Sequence, residues 1–171
     1  YQRSKTGTVQ DINVPLYDSQ VAWLANQNMN FLMSNEVPLK NGNAHPNIAP
    51  YQTFSTSDGD IMVAVGSDDQ FLKFMRCIGC YDQKIIDNFK YNEQRVEKIK
   101  ELDVIISKLI IKKTTSYWLD ELKDNNIPCG PINNISDVFK SDYANEMGFV
   151  CYGENSTDKR VPTVKNPVKF S

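Results

Sequence analysis

The sequence predicts an α+β fold: a small domain with a β-hairpin and several helices, flanked by a long helix and an extended return segment. Three observations carry that expectation. Two strand-like runs, 51–56 and 61–65, are separated by Ser57-Asp58-Gly59-Asp60. An Asp-Gly turn between such runs is a strong hairpin signal. After the hairpin, apolar residues recur at helical spacing as far as Leu122, and before it lies a helical stretch that is apolar around much of its circumference. The order helix, linker, hairpin, helices, exit strand suits a small domain inserted between parts of a larger one.

Gly7 punctuates a polar start, and residues 9–14 alternate as a short extended segment. Pro15 suits a first helical turn. Leu16, Val21, Trp23, Leu24, Met29, Phe31 and Leu32 then predict one long helix ending near Ser34. Such a helix is expected to be buried between layers or subunits, and alone it would leave an apolar surface exposed. Residues 38–50 hold three prolines, a glycine and three asparagines, the composition of a shaped, extended linker.

The hairpin comes next. Gly66 ends its second strand, and Ser67-Asp68-Asp69-Gln70 reads as a capping box. Phe71, Phe74, Met75 and Ile78 follow at helical spacing, and Gly79 closes that helix. Tyr91 or Asn92 starts another, whose apolar stripe is Val96, Ile99, Leu102, Ile106, Leu109 and Ile110. Glu93, Arg95, Glu97, Lys98, Lys100 and Glu101 read as its solvated face. A third helix, 115–123, buries Trp118, Leu119 and Leu122. Residues 127–134 form a second Pro/Gly-shaped loop, 135–139 a short helix, 149–152 a strand, 153–160 a polar turn, and 161–171 an extended exit. The domain boundaries expected from this pass are 1–37 for the edge of a larger domain, 38–50 for the linker, 51–152 for the small α+β domain and 153–171 for the return segment.

Composition narrows the function classes. Hydrophobic residues make up 40% and charged residues 23%, an ordinary globular mixture. The net charge of -2, from 19 basic and 21 acidic residues, argues against a nucleic-acid partner. No apolar run approaches the roughly 18 residues of a membrane span. The polar start, without an initiator Met, reads as neither a signal peptide nor a natural beginning. Cys77, Cys80, Cys129 and Cys151 lack the spacing of a zinc set and are expected to be buried free thiols. There is no dinucleotide fingerprint, phosphate loop or serine nucleophile elbow.

Few residues stand out for chemistry. His45 is the only histidine, and spacing supplies it with no carboxylate partner, so a structural or substrate-contact role outweighs acid/base work. Asp68 and Asp69 favour a helix N-terminus. Gly66 either ends a strand or lets backbone amides approach a thioester or carboxylate.

The same stretches resemble CoA-transferase family III, the group of formyl-CoA, carnitine and dicarboxylic-acid CoA-transferases. The resemblance is carried by Thr6-Gly7-Thr8-Val9-Gln10-Asp11-Ile12-Asn13-Val14 and by Gly42-Asn43-Ala44-His45-Pro46-Asn47-Ile48-Ala49-Pro50-Tyr51-Gln52. It continues through Asp58-Gly59, Ala64-Val65-Gly66-Ser67-Asp68-Asp69-Gln70-Phe71, Ile127-Pro128-Cys129-Gly130-Pro131-Ile132-Asn133 and Asn166-Pro167-Val168-Lys169-Phe170-Ser171. Within the family the pattern is similar to the succinate–hydroxymethylglutarate (glutarate) type.

That resemblance implies a larger Rossmann-like domain beside the small one, and a homodimer of interlocked chains. It implies a transferase that moves CoA from an acyl-CoA to a carboxylic acid through an aspartyl-CoA thioester. The nucleophile lies upstream of the Thr6-Gly7 block in the family, and none of Asp11, Asp18, Asp68 or Asp69 matches it. No catalytic residue is therefore assigned, and the chain is expected to be an inactive fragment. His45, Asn47, Gly66 and Ser67 match positions that face the acyl-CoA, which is substrate rather than a tightly bound cofactor; no metal, nucleic-acid or membrane partner is implied. Ser67-Asp68-Asp69 departs from the glycine-rich form of this loop. The racemase branch of the superfamily places a glutamate before Pro-Gln-Phe, where this chain has Asp69-Gln70-Phe71, so transferase is favoured. A non-catalytic CoA-binding or dimerisation module is the third reading. The family's settings make a mitochondrial or cytoplasmic parent the expectation.

Overall fold

The run after the Asp-Gly turn, Ile61 to Val65, is apolar throughout, and it provides the central strand of a three-stranded antiparallel sheet. In the computed structural model, which describes residues 1–154 and 160–168, β1 is Tyr51–Ser55, β2 is Asp60–Ala64 and β3 is Cys129–Pro131, in the order β1-β2-β3. Ser55 faces Asp60 and Tyr51 faces Ala64 across the hairpin, while Met62 faces Gly130 on the other side. The loop expected over 127–134 thus contributes a strand. Its proline lies at the outer edge, where a missing N–H leaves no ladder position empty.

The chain divides into two units, Tyr1–Gly42 and Asn43–Ser171. In the first, helices α1 (Gln2–Thr6), α2 (Leu16–Ala22) and α3 (Asn26–Ser34) bury no residue. One long helix was expected over 16–34. Instead the chain breaks at Trp23–Ala25, where Ala25 takes a φ of 49°, outside the right-handed helical region. The expected burial is also absent within this chain: Leu16, Trp23 and Met33 are all more than 80% exposed. That outcome matches the apolar surface such a helix leaves when nothing covers it.

The second unit holds the core. Helix α4 (Asp68–Cys77) starts at Ser67, whose side chain accepts the Gln70 N–H, and ends in a left-handed Gly79 with φ 81°. Gly79 N–H donates to Arg76 O and Cys80 N–H to Met75 O, the paired bonds of a Schellman ending. Helix α5 (Gln83–Asn88) was not foreseen; Asp82 caps it. The single helix expected from residue 91 or 92 to 110 is two, α6 (Asn92–Glu97) and α7 (Ile99–Ile110), divided at Lys98 with φ -108° and ψ 29°. Helix α8 (Thr115–Asp124) follows as expected.

Helices α7 and α8 pack on the sheet. Phe54, Ile61, Val63 and Val65 meet Phe71, Phe74, Met75, Leu102, Ile106, Ile110, Trp118 and Leu122, all at most 3% exposed. Fully burying side chains of this kind contributes about 1.5–3 kcal/mol each, which is why this unit and not the first carries the fold. The chain then forms α9 (Ile135–Lys140), α10 (Asp142–Met147), which the sequence pattern did not reveal, and the hairpin of β4 (Val150–Glu154) and β5 (Arg160–Val164). The polar turn expected over 153–160 falls mostly outside the described residues, as does the end of the exit segment, Lys169-Phe170-Ser171. No helix among the described residues is long and apolar enough to cross a membrane.

Candidate functional site

Proline and asparagine shape residues 43–50 into a bend folded back on the sheet. His45 N–H donates to Tyr51 O at 2.9 Å, and the imidazole stacks on the Tyr51 ring with centroids 5.2 Å apart and planes 12° from parallel. The Asn47 N–H donates to His45 Nδ1 at 3.1 Å. Accepting that bond requires a lone pair on Nδ1, so the neutral ring carries its proton on Nε2. His45 is half-buried and Asn47 exposed.

The far end of the bend is held by two side chains of α6. Asn92 Oδ1 accepts the Ala49 N–H at 3.1 Å while Asn92 Nδ2 donates to Asn47 O at 2.8 Å. Arg95 Nε donates to Ala49 O at 2.6 Å. Pro50 O in turn accepts the Val65 N–H at 2.9 Å, tying the bend to the residue before Gly66.

Arg95 does more than hold the bend. Its Nη1 donates to Lys90 O at 2.8 Å and to Phe89 O at 3.2 Å, and its Nη2 pairs with Asp68 Oδ1 at 2.8 Å. The guanidinium carbon lies 4.5 Å from the centre of the Phe71 ring. No part of Arg95 reaches solvent. Burial pulls the guanidinium down from its ordinary value and Asp68 pushes it back up; an arginine stays charged under such opposing influences. The expected solvated face over 93–101 is therefore wrong at this residue. A sequence signal existed: Arg95 lies four residues before Ile99 and seven before Leu102, in line with the apolar stripe rather than opposite it.

Gly66 and Ser67 sit on the turn between β2 and α4, both exposed. Ser67 Oγ accepts the Gln70 N–H at 3.2 Å, the expected cap. The return bond differs from the capping-box pattern, because Gln70 Oε1 accepts the Gly66 N–H at 2.9 Å rather than that of Ser67. The Gly66 amide considered for a thioester oxygen is thus already donating. A Cβ at Gly66 would lie 3.5 Å from Gln70 Oε1, ordinary contact, so the position does not require glycine for space.

Of the four singled-out residues, the structure gathers His45 and Asn47 on one bend and Gly66 and Ser67 on one turn. Bend and turn are joined through Pro50–Val65 and through Arg95, which bonds both Ala49 and Asp68. Sequence reading missed Asn92 and Arg95 altogether. Elsewhere, a cavity of about 510 Å³ beside β1 and α7 contains Asp103, whose carboxylate accepts from Gln52 Nε2 at 2.8 Å. Desolvation pushes its pKa up, against the lowering effect of that bond. The cysteines are free, as expected, but not uniformly buried: Cys80 is buried, Cys77 and Cys129 are half-buried and Cys151 is exposed. Burial raises the Cys77 thiol, with Glu121 adding to it, and burial also raises Cys129. A raised thiol is less readily ionised to the nucleophilic thiolate.

The sequence profile of CoA-transferase family III matches residues 1–171. A succinate–glutarate CoA-transferase of Agrobacterium fabrum is 37% identical over 169 residues, covering 98% of this chain and 42% of that protein. The human succinyl-CoA:glutarate CoA-transferase is 35% identical over 172 residues, covering 99% and 39%. The chain therefore spans about two fifths of the length of these relatives. Among solved structures, a CAIB/BAIF family protein from Brucella suis superposes with a TM-score of 0.74 at 36% identity, covering 99% of this chain and 44% of the other. Rv3272 from M. tuberculosis shares the fold, with a TM-score of 0.80 at 20% identity over 99% of this chain and 44% of its own.

Proposed function

The chain belongs to CoA-transferase family III, and from that premise we propose that it is the small-domain portion of an acyl-CoA:carboxylate CoA-transferase. The observation that carries this reading is the match of the family profile along all 171 residues. On this reading residues 1–37 belong to the edge of a larger domain, 38–50 are the linker, 51–152 the small domain and 153–171 the return segment. The remaining part of the enzyme supplies the nucleophile. Asp68 is unsuited to that task, since its carboxylate is engaged by the buried guanidinium of Arg95.

The proposed chemistry is a carboxylate relay. An aspartate oxygen attacks the donor thioester carbonyl, forming a mixed anhydride and releasing the CoA thiolate. The thiolate attacks the aspartyl carbonyl, leaving an aspartyl-CoA thioester and the free donor acid. The acceptor carboxylate repeats the sequence in reverse, and the thiolate leaves on the acceptor as its new thioester. Every atom comes from donor, acceptor and aspartate, so the scheme invokes no further cofactor. His45, Asn47, Gly66 and Ser67 face the acyl-CoA and help keep water from the anhydride and thioester stages. The names of the relatives make succinyl-CoA and glutarate the first pair to try. The full-length enzyme is proposed to be a homodimer of a mitochondrial or cytoplasmic compartment.

Mass spectrometry of the full-length protein incubated with succinyl-CoA and glutarate tests the proposal. Glutaryl-CoA is the expected product, and the 171-residue chain alone is expected to form none. Deuterium entry at the carbon next to the thioester, without acyl exchange, would replace the transferase reading with a racemase. Binding of acyl-CoA without either reaction would leave a CoA-binding module.

A further inference from the structure

Arg95 makes a set of contacts that a helix-surface arginine does not. One side chain, wholly removed from solvent, bonds three separate stretches of chain: the end of the bend at Ala49, the turn at Phe89 and Lys90, and the first turn of α4 at Asp68. It rests on Phe71, the first core residue of that same helix. A core needing only to be filled would use an apolar side chain here, since burying a charge is costly unless every donor is satisfied. What the guanidinium adds is a fixed fork, whose planar geometry sets the spacing of the groups it binds.

We propose that Arg95 is a positioning residue that sets the distance between the His45–Asn47 bend and the Gly66–Ser67 turn, so that one acyl-CoA touches both. This rests on the reading that the two segments face the acyl-CoA. Each segment has local bonds, His45 to Tyr51 and Ser67 to Gln70, but these do not set one segment against the other. The bend is irregular backbone tied down at Asn92, Arg95 and Val65, and the turn is followed at once by the helix that Asp68 anchors to Arg95. Lysine retains the charge and reaches one partner, but cannot span Ala49 O, Lys90 O and Asp68 together.

The test compares Arg95→Lys with Ile106→Val in the full-length enzyme, because Ile106 is a wholly buried core residue that belongs to neither segment. Hydrogen exchange read by mass spectrometry is expected to show faster exchange over 45–50 and 65–70 together in Arg95→Lys, and over neither selectively in Ile106→Val. Kinetics are expected to show KM for the acyl-CoA up, or kcat down, by about tenfold per folded molecule, since misplacement near 1 Å costs up to about a hundredfold. A purely structural Arg95 would lower the melting temperature while leaving both constants and the paired exchange pattern as in Ile106→Val, and that result overturns the proposal. Should Arg95→Lys fail to fold, Asp68→Ala removes the acceptor and cuts only the tie to α4. It is expected to speed exchange over 65–70 and raise KM, and wild-type values for both would overturn the proposal equally. The exchange measurement needs no turnover, so an enzyme lacking CoA-transferase activity would remove the functional reading without deciding whether Arg95 couples the two segments.

Discussion

Asp58 Oδ1 accepts the main-chain N–H of Thr115 at 2.7 Å and its hydroxyl at 3.0 Å, so the hairpin turn supplies a carboxylate to the first turn of α8. Thr56 Oγ1 adds a third bond to the same oxygen at 3.1 Å, and Ser57 N–H donates to Lys113 O nearby. The start of α8 thus has two acceptors, Thr114 within the chain's own turn and Asp58 from 57 residues away. Both satisfy amides that a helix leaves without partners.

Asp58→Asn is expected to lower the melting temperature at neutral pH. The Thr115 N–H, foremost, holds the Asp58 carboxyl below its ordinary value of 3.8, with the two threonine hydroxyls adding to it against some desolvation. A depressed folded value means the stabilisation is present above the unfolded value and lost as pH falls through the folded one. Melts of both proteins from neutral pH down to about pH 2 should therefore converge in acid. A gap that stays constant over the whole range would assign the loss to shape rather than charge.

Gly59→Ala is expected to cost about 1 kcal/mol by overpacking. Gly59 is not in the left-handed region, so backbone freedom is not what the position needs. Its missing side chain leaves room: a Cβ would stand 3.3 Å from Thr115 Oγ1. That hydroxyl cannot retreat freely, because it lies 2.7 Å from Thr56 Oγ1 and 3.0 Å from Asp58. Urea unfolding measures the loss, and a midpoint equal to wild type would mean that the turn gives way.

Trp118→Phe keeps most of an aromatic core position and removes one bond. Trp118 Nε1 donates to Ile110 O at 2.7 Å, with both residues buried. Ile110 ends α7, where carbonyls lose their helical partners. That oxygen keeps a second, longer bond from the Lys113 N–H at 3.3 Å, so losing the indole bond is expected to cost about 0.5–1.5 kcal/mol, read as a lower urea midpoint at unchanged slope. A loss well below that range would show that water reaches the carbonyl.

Asp103→Asn should act in the opposite direction to Asp58→Asn. Desolvation raises the Asp103 carboxyl, so the folded chain takes up its proton more readily than the unfolded chain does. Stability then rises as pH falls through the folded value, and the burial penalty is fully present above it. Asparagine removes the charge and can still accept from Gln52. A higher melting temperature at neutral pH is expected, shrinking as pH approaches the ordinary 3.8. A lower melting temperature at neutral pH would mean the ionised group has a favourable partner.

The hairpin, α4, α8 and the capping serine were legible because each depends on neighbours in sequence: Asp58-Gly59, Ser67 with Gln70, Thr115 to Leu122 at helical spacing. The break at Trp23–Ala25 was not, since no proline or glycine marks it. Strand β3 was hidden because Cys129-Gly130-Pro131 has no strand pattern of its own; β2 imposes it. Of the candidate site, the bend and the turn were visible from their proline, glycine and serine. Arg95 and Asn92 were not, because their partners at Ala49, Asn47 and Asp68 are 27 to 46 residues away. Local charge density made Arg95 read as surface when its long-range bonds place it in the core.

The bend over residues 43–50 has one more effect, on how this chain avoids others of its kind. Strand β1 lies at the edge of its sheet, and an open edge invites a strand from another molecule. Here Tyr51 O is taken by the His45 N–H, and the Thr53 N–H donates to Asn43 Oδ1 while Asn43 Nδ2 holds the Thr53 hydroxyl. The opposite edge is only three residues long and ends in Pro131. Both margins are blunted, so the sheet is a poor template for intermolecular strand growth. A substitution such as Asn43→Ala, which frees the Thr53 N–H, would show itself first in aggregation.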